Sequence, residues 1–233
     1  MRLNTVVRGA VLCAALVAFT ANAQTSGSST ATQRWTVDSG TTVGDGANVV
    51  RAQVGWPGLW LDFVHGMSST FDIGGRLGLN WGGPDGAVNY CASAGVFGNV
   101  CGGTTFNIDF QLLLRATVTE IAGYKLALTF NPGFIIFTSG GTTGINLPIG
   151  AQMGFPINEK MILNASFEVP MYATFGTGGS FFIPLLFGGG IEYAIQPNLL
   201  LTGKLALGVS IPTLSGAAAS FAMNFLAGVA YKF

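Results

Sequence analysis

The chain has 233 residues, 49% hydrophobic and 9% charged, with ten Lys and Arg balancing ten Asp and Glu. That balance supplies neither a basic surface for nucleic acid nor a cationic face for anionic headgroups, so no nucleic-acid partner is expected. The length allows one domain. Mean hydropathy is positive, yet beyond the amino-terminal stretch no apolar run reaches the ~18 residues that argue for a membrane helix.

Residues 1–23 read as a secretory signal peptide. Arg2 and Arg8 make a basic start, 9–19 is a short apolar run, and Ala21-Asn22-Ala23 gives a small-x-small site with cleavage before Gln24. The run is shorter than the ~20 residues of a spanning helix. Cys13 follows Leu12 inside it, which disfavours a lipoprotein signal, and leaves with the peptide. Processing removes two basic residues and no acidic one, so the remainder is slightly acidic. Residues 24–48 are rich in Ser, Thr, Gly and Ala and predict a flexible periplasmic arm, in which Trp35 and Val37 can give a short docked segment.

From Val49 the pattern changes to alternating segments separated by Gly, Pro, Asn and Ser. Strands are predicted over 49–56, 58–66, 71–81, 104–119, 124–138, 144–155, 161–172, 181–195, 199–211 and 218–233. Short links at 67–70, 120–123, 156–160 and 196–198 fit periplasmic turns, and longer Gly-rich links at 82–103, 139–143 and 173–180 fit an outer face. An all-β, antiparallel up-and-down transmembrane barrel over 49–233, of about ten strands, follows. Trp56-Pro57-Gly58 must then serve as a very tight turn. Eight strands is the alternative count that keeps both ends on one side. Asn131-Pro132-Gly133 interrupts the fifth strand and predicts a bulge, because Pro cannot donate to the ladder.

Parity sorts the side chains into two faces. One carries Leu61, Phe63, Leu77, Phe110, Leu128, Ile149, Val169, Phe187, Leu205 and similar residues, with no charge among them. The other carries Gln53, Asn107, Gln111, Gln152, Asn164 and a balanced charge set: Arg51, Arg76, Arg115, Lys125 and Lys204 against Asp62, Asp72, Asp109, Glu168 and Glu192. Arg or Lys facing lipid near midplane costs about 2 to 4 kcal/mol, so the apolar face belongs outside. A soluble lipocalin-like barrel would invert the arrangement. Aromatic residues near strand ends predict two girdles, Phe71, Tyr124, Phe155, Tyr193, Tyr231 and Phe233 at the turn side and Trp56, Phe106, Phe181 and Phe221 at the other.

In the final stretch Phe221, Met223, Phe225, Ala227, Val229, Tyr231 and Phe233 fall on alternate positions. It resembles the closing strand of bacterial outer-membrane β-barrels, which ends in Phe and alternates aromatic or apolar residues in this register. The resemblance implies an outer-membrane location, outer-membrane lipid as surroundings, and recognition by the barrel-assembly machinery through Phe225, Val229, Tyr231 and Phe233; the alternation of short and long links then leaves both termini periplasmic.

Candidate chemistry is sparse, and no catalytic, metal or cofactor site is expected. Cys91 and Cys101 share the longest outer loop and favour a disulfide in an oxidising compartment, having no further His or Cys nearby to complete a metal set. His65 has the lipid-facing parity of Leu61 and Phe63 and sits beside a turn, with Ser68 and Ser69 its neighbours only in sequence. The Gly-rich runs lack a Walker Lys and a following helix. The balanced inward charges read as an internal salt-bridge network or the wall of a narrow pore. A non-enzymatic barrel, structural or pore-forming, is therefore expected, against a lipid- or peptide-modifying enzyme and a surface adhesin or receptor acting through the Cys91–Cys101 loop.

Overall fold

A computed structural model describes residues 35–82, 106–138, 143–175, 181–213 and 219–233. The strands are β1 (Asn48–Trp56), β2 (Gly58–Gly66), β3 (Phe71–Asn80), β4 (Asn107–Ile121), β5 (Tyr124–Phe130), β6 (Gly133–Phe137), β7 (Thr143–Pro156), β8 (Met161–Phe175), β9 (Phe181–Gln196), β10 (Leu199–Pro212) and β11 (Ser220–Lys232). All pairings are antiparallel, and β1 pairs with both β2 and β11, which closes the sheet. β5 and β6 form one stave between β4 and β7, so the barrel has ten staves, as the alternation predicts.

The bulge expected at Asn131-Pro132-Gly133 does not form. On β4, Leu114 faces Phe130 and Gln111 faces Gly133; on β7, Ile149 faces Phe130 and Asn146 faces Gly133. The register therefore runs through without an inserted residue. Pro132 removes its own donor and no more, because its carbonyl still accepts from Leu112 N at 2.9 Å while Asn131 N donates to Pro148 O at 2.8 Å. A shift in pairing does occur between Thr117 and Thr119, close to the β4–β5 turn. That turn is two residues, Ala122 and Gly123, both at positive φ (51° and 85°), the geometry that matches the twist of a hairpin. At the opposite end Pro57, after a cis Trp56–Pro57 bond, is the single residue between β1 and β2.

The two faces follow parity. Leu61, Phe63, Leu128, Phe187, Leu205 and Phe225 are exposed on the outside, and the interior keeps Arg51, Asp62, Asp72, Asp109, Arg115 and Glu192 buried. Phe134 and Ile136 point outward and Ile135 is fully buried, so parity is also conserved across Pro132. Val169 departs from the pattern: it is buried where the β8–β9 pairing lapses between Glu168↔Leu186 and Tyr172↔Phe182. Among the described residues every exposed charge, Asp45, Glu120, Glu159 and Lys160, lies at the short-turn end. Aromatic pairs mark that same rim, Tyr124 with Phe155 at 4.9 Å and Tyr231 with Phe233 at 6.4 Å between ring centroids.

Candidate functional site

The lumen holds the polar chemistry, and cross-strand register builds it. Arg51 faces Asp62 across β1–β2, Asp62 faces Arg76 across β2–β3, and Asp72 faces Arg115 across β3–β4. With period-two strands all five side chains point inward at neighbouring positions. Arg51 reaches Asp62 Oδ2 at 2.6 Å, and Arg76 Nε donates to Asp62 Oδ1 at 2.7 Å while its guanidinium lies 4.3 Å from the Trp60 ring centroid. Arg115 Nε donates to Asp72 Oδ2 at 2.8 Å. Lys204 and Glu168 form a separate pair. Asp109 is stabilised by amides, accepting from Gln111 Nε2 at 2.6 Å and Asn146 Nδ2 at 2.7 Å. Lys125 stands apart: among the described residues no carboxylate lies within ion-pair distance of it, and its cross-strand neighbour is Glu120 at the rim.

The short-turn end is filled by the chain itself. Residues 35–47 lie in the stretch expected as an arm, and from Trp35 onward they pack inside the barrel mouth. Trp35, Val37, Val43 and Ala47 join Val49, Ala194, Leu200 and Ala230 in one apolar cluster. Trp35 Nε1 donates to Pro197 O at 2.9 Å in the β9–β10 turn. The backbone between these anchors is satisfied by wall side chains. Val37 N and Asp38 N donate to Glu192 Oε1 at 2.9 and 2.7 Å, and Val43 N donates to the Asp72 carboxylate at 3.2 Å. Arg115 Nη2 donates to Thr36 O at 2.9 Å, Thr117 Oγ1 to Gly40 O at 2.6 Å, and Lys232 Nζ to Val43 O at 3.0 Å. The fit is close at the backbone level. A Cβ on Gly40 would lie 1.6 Å from Lys125 O, and one on Gly154 2.5 Å from Ser39 Cβ.

Asp38 extends the wall network into this segment, pairing with Arg51 Nη1 at 2.6 Å. Burial acts to raise the Asp38 carboxyl, but the Arg51 guanidinium, with Lys204 and Arg115 further off, outweighs it and holds the group below the ordinary carboxylate range. Beyond the segment lies a cavity of about 110 Å³, lined by Asp38, Arg51, Arg76, Arg115, Gln152 and Asn224 among others. Buried Gln111 Oε1, Arg115 Nη1, Gln152 Oε1 and Asn224 Oδ1, all on lining residues, have no protein partner. These polar atoms and that volume are enough to hold several waters.

His65, Ser68 and the closing-strand candidates are not drawn into the lumen. His65 sits at the short-turn rim with Nδ1 2.9 Å from Asn48 Oδ1, and Ser68 Oγ pairs with Thr70 Oγ1 at 3.3 Å, so no Ser–His pair forms there. Among the described residues no three His, Cys, Asp or Glu come together as a metal set. Cys91 and Cys101 lie outside the described residues. Phe225, Val229, Tyr231 and Phe233 are all exposed on the outer face, and Phe233 exchanges backbone hydrogen bonds with Asn48 at the seam. Sequence reasoning missed Asp38 and Lys232 as members of the inner network. Their signal was faint, since Asp38 is on no strand and Lys232 faces apolar Val49 across the seam.

A closed antiparallel barrel with an apolar exterior and a charge-paired interior is the architecture of the bacterial outer-membrane β-barrels. No protein-family model matches the chain, and no curated protein matches it. Among solved structures, one described as KdgM porin aligns with 80% of this chain and 99% of its own, at 8% identity and a TM-score of 0.37.

Proposed function

We propose that the chain is a non-enzymatic integral barrel of the bacterial outer membrane, with short turns and both termini in the periplasm, whose lumen is a narrow polar path for small solutes or ions held closed by residues 35–43. The seating of that segment among Glu192, Asp72, Arg115, Thr117 and Lys232 carries the reading. The cavity beyond it supports a path, because charges of both signs line it, among them Arg51, Arg76 and Lys204 in ion pairs and Asp109 held by amides. Outer-membrane lipid surrounds the barrel, and the barrel-assembly machinery reads its closing strand. Planar-bilayer recording of the refolded protein tests this. Brief openings from a closed baseline are expected. Large steady currents would refute the closure, and silence at every voltage would reduce the role to a structural one.

A further inference from the structure

Resting on the reading of the lumen as a solute path, we propose that Gly44 and Gly46 form a hinge on which residues 35–43 swing out of the barrel mouth, making this segment the gate. The turn between the segment and β1 requires glycine twice: Gly44 has φ +103° and Gly46 φ +68°, with Ala47 N donating to Gly44 O at 3.1 Å. β1 beyond this turn is fixed by Gly66 N to Ala47 O at 2.9 Å, and a single bond, Gly46 N to Gly66 O at 2.8 Å, ties the turn itself to β2. On the other side the backbone bonds named above run to wall side chains, so the segment can leave without opening a strand pair.

The ion pairs within the wall survive that departure. Arg51 and Arg76 keep Asp62, Arg115 keeps Asp72, and Lys204 keeps Glu168 whether or not the segment is present. The Asp38–Arg51 pair is broken and Asp38 exits to water, while Glu192 and Lys232 exchange their bonds to the Val37 and Asp38 amides and the Val43 carbonyl for the water that enters. The departing residues suit water too, since Thr36, Asp38, Ser39, Thr41 and Thr42 are polar. The apolar anchors Trp35, Val37 and Val43 hold the closed state.

Valine at the two hinge positions separates this idea from mere packing. A Cβ on Gly46 meets nothing within 4 Å, and one on Gly44 meets only the flexible end of Lys232 at 3.4 Å, so the perturbation is conformational. A left-handed backbone disfavours a β-branched residue enough to shift the seated-to-released balance roughly five- to thirty-fold per substitution. In the full-length mature protein carrying G44V, G46V or both, amide exchange of 35–43 should speed up by that factor while heat-modifiable migration stays unchanged. Bilayer open probability should rise in step. Unchanged exchange in all three variants would overturn the hinge. Faster exchange with a silent bilayer would overturn the gate and the solute path together. Current through the unmutated protein with 35–43 fully protected would overturn the gate and leave the path standing.

Discussion

Replacing Arg115 by alanine tests how dry the closed mouth is. Arg115 is 7% and Asp72 1% exposed, and the guanidinium also donates to Thr36 O at 2.9 Å. Removing it leaves the Asp72 carboxylate with the Val43 amide as its remaining close donor, at 3.2 Å. Breaking one side of a buried ion pair costs about 3 to 5 kcal/mol, against ~1 kcal/mol or less for a hydrated pair. With a urea dependence of roughly 2 kcal/mol per M, the midpoint of unfolding in lipid should fall by about 2 M. Adding Asp72→Asn should recover part of the loss, because the uncompensated charge is then gone and the two sites share one interaction. A midpoint unchanged within about 0.3 M would place water around the pair and refute the sealed mouth.

Leu205→Arg puts a cation on the lipid face half-way along β10, where Leu205 is 45% exposed, and should cost about 2 to 4 kcal/mol in bilayers by reversible unfolding; an unperturbed stability would argue for a soluble barrel. Because the Asp38 carboxyl is held low by Arg51, its stabilisation is present above the ordinary value of about 3.9 and is lost as pH falls through its lower folded value. Amide protection across 35–43, relative to the intrinsic exchange rate at each pH, should therefore fall below about pH 4 in the unmutated protein, and Asp38→Asn should flatten that dependence. Deleting Phe233 should reduce insertion in cells while refolding in detergent stays near normal, and equal insertion of both forms would count against an assembly signal at this residue.

The barrel was legible because both of its signals are local. Alternation places each strand, and lipid forbids charge on the exposed face, so the register of Leu61, Phe63 and Leu205 could be read without knowing any partner strand. Pro132 shows where local reading over-reaches: a missing donor predicts a bulge, yet the lateral neighbours hold the register on both sides. The segment at 35–47 has no period at all. Its bonds span the chain, 154 residues from Asp38 to Glu192 and 79 from Thr36 to Arg115, and in its own composition only Trp35 and Val37 set it apart from a solvated arm.

Strand pairing, once known, shows where the partners of several inward charges lie. Arg51, Asp62 and Arg76 are successive cross-strand partners, as are Asp72 and Arg115, and these groups neutralise one another within the wall. Glu192 faces Thr202 and Ile162, and Lys232 faces Val49, so neither has an opposite charge directly across from it. A buried charge without a lateral counterpart needs polar groups from elsewhere. Here they come from the segment, the amides of Val37 and Asp38 for Glu192 and the carbonyl of Val43 for Lys232. Arg51, Asp72 and Arg115 thus serve both the wall and the segment, while Glu192 and Lys232 meet the segment from positions with no opposite charge across the ladder.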